Sequence, residues 1–187
     1  MVEFTYMDIK QIKVGFLGTN CYLLISGKEV VIVDPGGEPD KILKELAGMK
    51  DKKVKYIINT HYHDDHTSAN EKIVEETGAE ILIHRLEDKF IDFKVDQFLK
   101  EGDKVTIGEE KIKVINTPGH TKGGICLIGN NFILTGDTLF YQGYGRTDLE
   151  GGSVQEMKKS LERLSRIIKP GMKVFPGHGE SFIREQS

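Results

Sequence analysis

Residues 60–66 read THYHDDH, which places three histidines and two aspartates in seven positions. Imidazoles and carboxylates crowded at the end of an apolar run, here VKYIIN, form a donor set suited to zinc, iron or manganese. If residues 61–63 continue that run as a strand, His61 and His63 project to one side, because strand side chains alternate with a period of two. Asp65 and His66 then stand where the chain turns into a helix and face a second position beside the first. One loop cannot close such a site. The chain must therefore fold so that several strands end at one place.

Three downstream turns meet that requirement. His120 in TPGHT, Asp137 in TGDTLF and His178 in FPGHG each follow an apolar run and sit in a glycine-containing turn. Five of the six histidines fall in THYHDDH and these turns, a concentration that surface or core histidines would not show. Any one of them alone reads as a solvated turn histidine or a capping aspartate. Four separate elements, each ending in a ligand-type residue, read as a metal site. Asp64 is expected to cap the helix or support the loop rather than bind metal. His84, at the end of EILIH, is read as a structural histidine.

The rest of the chain supplies strands and a few helices. MVEFTYMDIKQIKV alternates apolar and polar residues, with neither a basic n-region nor an apolar h-region, so it reads as a strand and not an export signal. CYLLIS and EVVIV pair around a turn at Ser26-Gly27-Lys28. Helices are expected from about Pro39 to Leu46, from roughly 67 to 77 with a stop at Gly78, and over 153–168. The last opens on a Ser153/Glu156 capping box and carries Val154, Met157, Leu161, Leu164 and Ile168 at helical spacing. Short strands separated by turns fill Gly102 to Thr135.

Length and charge narrow the classes. At 187 residues, residues 1–187 suit one domain whose core needs no structural metal, so a metal here is expected to act in chemistry. With 26 basic residues interspersed among 29 acidic ones, for a net charge of −3, there is no electrostatic footprint for nucleic acid or an anionic membrane. No apolar run approaches the roughly 20 residues that span a bilayer, and cytoplasmic residence is the expectation. Cys21 and Cys126 lie within strand-like runs and read as buried, reduced thiols. Oligomeric state leaves no mark on the sequence.

The cluster His61-Tyr62-His63-Asp64-Asp65-His66, followed in order by His120, Asp137 and His178, resembles the metallo-β-lactamase superfamily. The resemblance runs from Asp34, at the end of an early strand, to His178. It implies an α/β fold of four layers, an αββα sandwich with the site along one edge. It further implies two divalent metal ions, zinc first, with iron or manganese as alternatives. One ion would take His61, His63 and His120, the other Asp65, His66 and His178, and Asp137 would bridge them. Asp34 would help to hold the ligand loop.

Such a pair of ions, less the charge of two aspartates, keeps a net positive charge that favours a carbonyl oxygen becoming negative. Hydrolysis by a metal-activated hydroxide follows, with Asp65 orienting the attacking group. The segment GRTDL after GDTLF, with the terminal PGHG, is similar to small glyoxalase II-like hydrolases. These cleave thioesters such as S-lactoylglutathione, so the implied partner is a small-molecule thioester or ester. Arg146 and Tyr144 fall where relatives contact the glutathione part, and an arginine there suits a carboxylate. Glyoxalase II proper also has a helical C-terminal region that helps bind glutathione, whereas nine residues follow His178 here. Persulfide dioxygenases share the cluster and a GRTD segment but use one iron, here on His61, His120 and Asp137. Asp137 argues against a true β-lactamase, and neither an extra domain nor a basic arm suggests a nuclease.

Overall fold

The computed structural model describes residues 7–185. The first sheet takes its six strands in chain order. They are β1 (Asp8–Val14), β2 (Thr19–Ser26), β3 (Glu29–Val33), β4 (Lys53–Asn59), β5 (Glu80–His84) and β6 (Gln97–Leu99). The second sheet, ordered β12-β11-β10-β9-β8-β7, contains β7 (Lys104–Ile107), β8 (Glu110–Asn116), β9 (Ile125–Ile128), β10 (Phe132–Gly136), β11 (Lys173–Pro176) and β12 (Phe182–Ile183). Both sheets are mixed: β3 to β6 run parallel, as do β10 and β11, and the other neighbours are antiparallel. Of the N-terminal strand expected from the sequence, Asp8–Val14 forms β1, and residues 1–6 lie outside the described part.

Alternation along the strands explains the four layers. Tyr22, Leu24, Val31, Val33, Ile58 and Leu82 of the first sheet meet Ile112, Val114, Leu127 and Leu134 of the second in the central core. The residues between them point the other way. Cys21, Leu23, Val30, Ile32 and Ile57 pack against Ile42 of α1 (Pro39–Ala47) and Ile73 of α3 (Asn70–Thr77). Ile115, Cys126, Ile133 and Val174 pack against Leu164 of α4 (Val154–Ile167) and the following Ile168. β2 is buried at every position because both its faces are covered. The result is an αββα sandwich, as the resemblance implied. Cys21 and Cys126 are free, buried thiols, and burial pushes both thiol pKa values up. Among the described residues, no helix is long and apolar enough to cross a membrane.

Two local expectations need correction. β4 ends at Asn59, so His61 and His63 do not continue the strand. Thr60 leaves the first sheet because its N–H donates to Asp34 while its carbonyl accepts from Ile125 of the second sheet. The helix expected over 67–77 is two pieces: a single turn, α2 (Asp64–Thr67), and then α3. The break arises because Ala69 N–H bonds Pro35 O at 3.0 Å instead of the carbonyl a turn behind it. Asp64 is the exposed first residue of α2, and the cap position belongs to His63, whose side chain makes no capping hydrogen bond. α4 begins as expected, with Ser153 Oγ accepting from Glu156 N–H.

Candidate metal centre

Five strand ends converge. β3 delivers Asp34, β4 the run from His61 to His66, β8 His120, β10 Asp137 and β11 His178. Parallel pairing of β3 with β4 and of β10 with β11 brings successive strand ends to the same side. Three groups of donors then lie close enough to hold an ion: His61, His63 and His120; His61, His66 and Asp137; Asp65, His66 and His178. In each group the donor atoms lie within 4.8 Å of one another.

The contacts between donors are short. His63 Nδ1 is 2.8 Å from His120 Nε2, and His66 Nε2 is 3.2 Å from His178 Nε2. Asp65 Oδ2 is 3.1 Å from His178 Nε2 and 3.5 Å from His66 Nε2. Asp137 lies between the two halves, with Oδ1 3.4 Å from His66 Nε2 and Oδ2 3.6 Å from the Nε2 atoms of both His120 and His178. Donors bound about 2.0–2.2 Å from a tetrahedral ion stand roughly 3.3–3.6 Å apart; the contacts of Asp137 and the Asp65–His66 contact match that spacing, and the closer His63–His120, His66–His178 and Asp65–His178 contacts would open slightly around an ion. His61 Nε2 and Asp137 Oδ1 are buried without a hydrogen-bond partner, an arrangement that an ion would relieve.

Hydrogen bonds behind the cluster set the tautomers. His120 Nδ1–H donates to the carbonyl of Arg146 at 2.6 Å, which leaves Nε2 free to ligate. Asp34 accepts the Thr60 hydroxyl at 2.7 Å, so that hydroxyl oxygen is free to accept His61 Nδ1–H at 3.1 Å. His66 Nδ1 also lies 3.0 Å from Asp34 Oδ2, near enough for charge attraction although off the direction of a full hydrogen bond. Asp34 thus stands behind two of the histidines.

Other supporting residues escaped the sequence reading. Asn20 donates its side-chain N–H groups to Pro176 O and Gly179 O, its backbone N–H bonds Gly177 O, and the Tyr22 hydroxyl bonds Pro176 O at 2.6 Å. Together these hold the turn that carries His178, while Thr19 donates to Asp65 at 3.1 Å. Their only trace in the sequence is a pair of polar residues opening an apolar strand. Glu87, fully buried on a 3₁₀ turn at Arg85–Glu87, accepts from the backbone N–H groups of Tyr62 and Gly123. It thereby ties the His61–His63 loop to the loop that carries His120, and nothing in its sequence context signals this. His84 is buried and accepts from Leu86 N–H, a local structural contact.

Burial and the charges of the cluster pull its protons in opposite directions. Burial, reinforced by neighbouring imidazoles, holds the His61 pKa well below its usual range. Burial and then His120 bring His63 down to about 4. For His66 burial opposes protonation, yet Asp137, Asp34 and Asp65 overcome it and raise the pKa to about 9. Burial likewise disfavours the charged form of Asp65, but the hydrogen bond with His178 and the charge of His66 prevail and hold it far below the usual carboxylate range. Divalent ions held by these donors would replace the competing protons.

The segment expected to meet substrate is close by. Arg146 offers its carbonyl to His120 while its exposed guanidinium forms a bidentate pair with Asp148, both contacts at 2.8 Å. Tyr144 is half exposed on the same loop.

Known proteins resemble this chain in sequence and fold. A family model described as the metallo-beta-lactamase superfamily matches residues 14–178. A probable metallo-hydrolase, MJ0888 of Methanocaldococcus jannaschii, is 37% identical over 87% of this chain and 88% of its own length. The probable polyketide biosynthesis zinc-dependent hydrolase PksB of Bacillus subtilis is 31% identical over 95% of this chain and 80% of its own length. Among solved structures, the di-iron-bound form of TTHA1623 superposes with a TM-score of 0.83 at 28% identity, covering 93% of this chain and 94% of that one. With the donor set and the sandwich in place, the chain belongs to the metallo-β-lactamase superfamily.

Proposed function

We propose that this protein is a binuclear metal-dependent hydrolase that cleaves a thioester such as S-lactoylglutathione. The observation that carries the reading is the position of Asp137, within 3.4–3.6 Å of donors from both halves of the cluster. His61, His63 and His120 would hold one ion, Asp65, His66 and His178 the other, with Asp137 between them. Zinc is the first expectation, as in the name of the Bacillus subtilis relative; iron, as in the TTHA1623 structure, or manganese would suit the same donors. Ions so held act as Lewis acids and lower the pKa of water.

The chain's own residues supply the positioning. Asp65, fixed by Thr19, orients the attacking water. His120 keeps its ligating nitrogen free through the Arg146 carbonyl. Tyr144 and Arg146 lie on the loop that follows Asp137, where Tyr144 would meet the substrate and Arg146 the thiol carrier, exchanging Asp148 for a carboxylate of the substrate. No protein nucleophile is required.

The test is metal content of protein purified without chelator, measured by mass spectrometry, together with thiol release from a thioester panel. Two metals per chain and thiol release abolished by chelation are expected. One tightly held iron, with oxygen consumed in the presence of glutathione persulfide, would replace this reading with a mononuclear persulfide dioxygenase. The 3.6 Å approach of Asp137 to His120 is the contact that such an iron site would use.

A further inference from the structure

Two hollows adjoin each other beside His178. The nearer, about 410 Å³, is lined by His178, Gly179 and Glu180 on one side and by Phe140, Tyr141 and Gln142 on the other. The second, about 360 Å³, lies beyond Phe140 and Tyr141, which line both, and its floor is Leu139, Leu161, Ile168 and Phe182. Gly143, Tyr144, Ser165 and Arg184 complete its lining. The Phe140 ring centroid is 6.1 Å from that of His178, and Tyr141 is 5.5 Å from Phe182. An aromatic path therefore leads from the donor cluster to an apolar recess on α4.

The path is built on a fixed turn. Phe140 N–H bonds Gly143 O at 3.0 Å, and the Thr135 hydroxyl holds Leu139 O at 2.7 Å. Tyr141 nonetheless remains 61% exposed, leaving a large apolar surface uncovered at the mouth of a reactive site. A recess of this size falls within the range of small-molecule pockets, about 300–1,000 Å³.

We propose that this recess receives the acyl chain of the substrate and that the chain is aliphatic. The inference rests on the hydrolase reading above and assigns that thioester an acyl group longer than lactoyl. With the carbonyl at the His178 end, the chain passes over Phe140 and Tyr141 and ends against Leu161 and Ile168. The reaction is balanced by water alone: a C–O bond forms at the acyl carbon, the C–S bond breaks, and a carboxylate, a thiol and a proton leave.

The experiment uses the zinc-loaded protein and N-acetylcysteamine thioesters with acetyl, butanoyl, hexanoyl and octanoyl groups. The value of kcat/KM is expected to rise by up to about fourfold per methylene, and Leu161→Trp, which fills the recess, should lower the octanoyl-to-acetyl ratio at least tenfold. In parallel, the non-hydrolysable thioether S-octyl-N-acetylcysteamine should shift the methyl resonances of Leu161 and Ile168. A chain-length series that is flat and unmoved by Leu161→Trp, or unshifted methyls at those two residues, would overturn the recess. Failure to cleave any thioester while those methyls still shift would overturn the hydrolase reading and leave the recess standing.

Discussion

Asp34 grips Thr60 twice, accepting its backbone N–H and its hydroxyl at 2.7 Å each. Through that hydroxyl, and through the nearby Nδ1 of His66, one carboxylate at the end of β3 orients two histidines of another loop. Asp34 has φ 54°, a left-handed conformation that asparagine tolerates, so Asp34→Asn changes the hydrogen bonding without straining the backbone. Metal affinity should fall about 10- to 100-fold, measured by competition with a chromophoric chelator. An unchanged affinity would remove Asp34 from the support of the site.

Glu87 performs a comparable task for the other half. Its buried carboxylate accepts from Tyr62 N–H at 2.9 Å and also from Gly123 N–H. An amide at this position presents one acceptor and one donor, so Glu87→Gln sets an N–H against an N–H. The cost should be about 1–3 kcal/mol of stability, read from chemical denaturation. In the proposed binuclear site it should be accompanied by weaker binding at one metal position, since the loops that carry His63 and His120 lose their common anchor. Equal loss at both metal positions would mean a general loosening rather than a local one.

The candidate donors were legible in the sequence because ligand chemistry demands particular residue types, crowded together in THYHDDH and set in glycine-containing turns at His120, Asp137 and His178. Strands were legible from alternation, and α4 from its cap. The supports were not. Asn20 reaches Pro176 across 156 positions and Glu87 reaches Gly123 across 36, and no local pattern encodes such partners. β6 and β12, with three and two residues, are too short to show a period and exist through pairing with β5 and β11. The break between α2 and α3 likewise depends on a carbonyl at Pro35 in another loop.

Gly177 shows why the PGHG turn needs its first glycine. A Cβ there would stand 2.3 Å from Asp137 Oδ1 and 2.8 Å from His66 Cε1. Gly177→Ala should therefore displace Asp137 or His66, lowering metal content and turnover at least tenfold while far-ultraviolet circular dichroism stays the same. Full metal occupancy in this variant would show that the turn yields instead.

A pH effect is expected away from the site. The Arg163 guanidinium beside Glu101, with the Asn116 N–H, lowers the carboxylate pKa. A depressed carboxylate pKa adds stability above the unfolded value and loses it as pH falls through the folded value. Both partners are more than 40% exposed, so solvent screening keeps the contribution below about 1 kcal/mol. Glu101→Gln should lower Tm slightly at neutral pH, and the difference from the parent should vanish once the pH is below the depressed folded pKa. A difference that persists there would point to packing of the side chain instead of its charge.

Arg146 and Asp148 offer a test of how the thiol carrier is bound. Their paired contacts of 2.8 Å occupy the guanidinium face that a substrate carboxylate would use, so binding an anionic carrier means displacing Asp148. Asp148→Asn removes the competing charge and should lower KM severalfold for a glutathione thioester, with little change for a neutral carrier. Arg146→Ala should raise KM for the anionic thioester by about tenfold, the scale of a charge-assisted hydrogen bond, with kcat nearly constant because His120 bonds the backbone carbonyl of residue 146 and not its side chain. If both variants act equally on anionic and neutral carriers, Arg146 serves only its surface ion pair, and the carrier is held elsewhere.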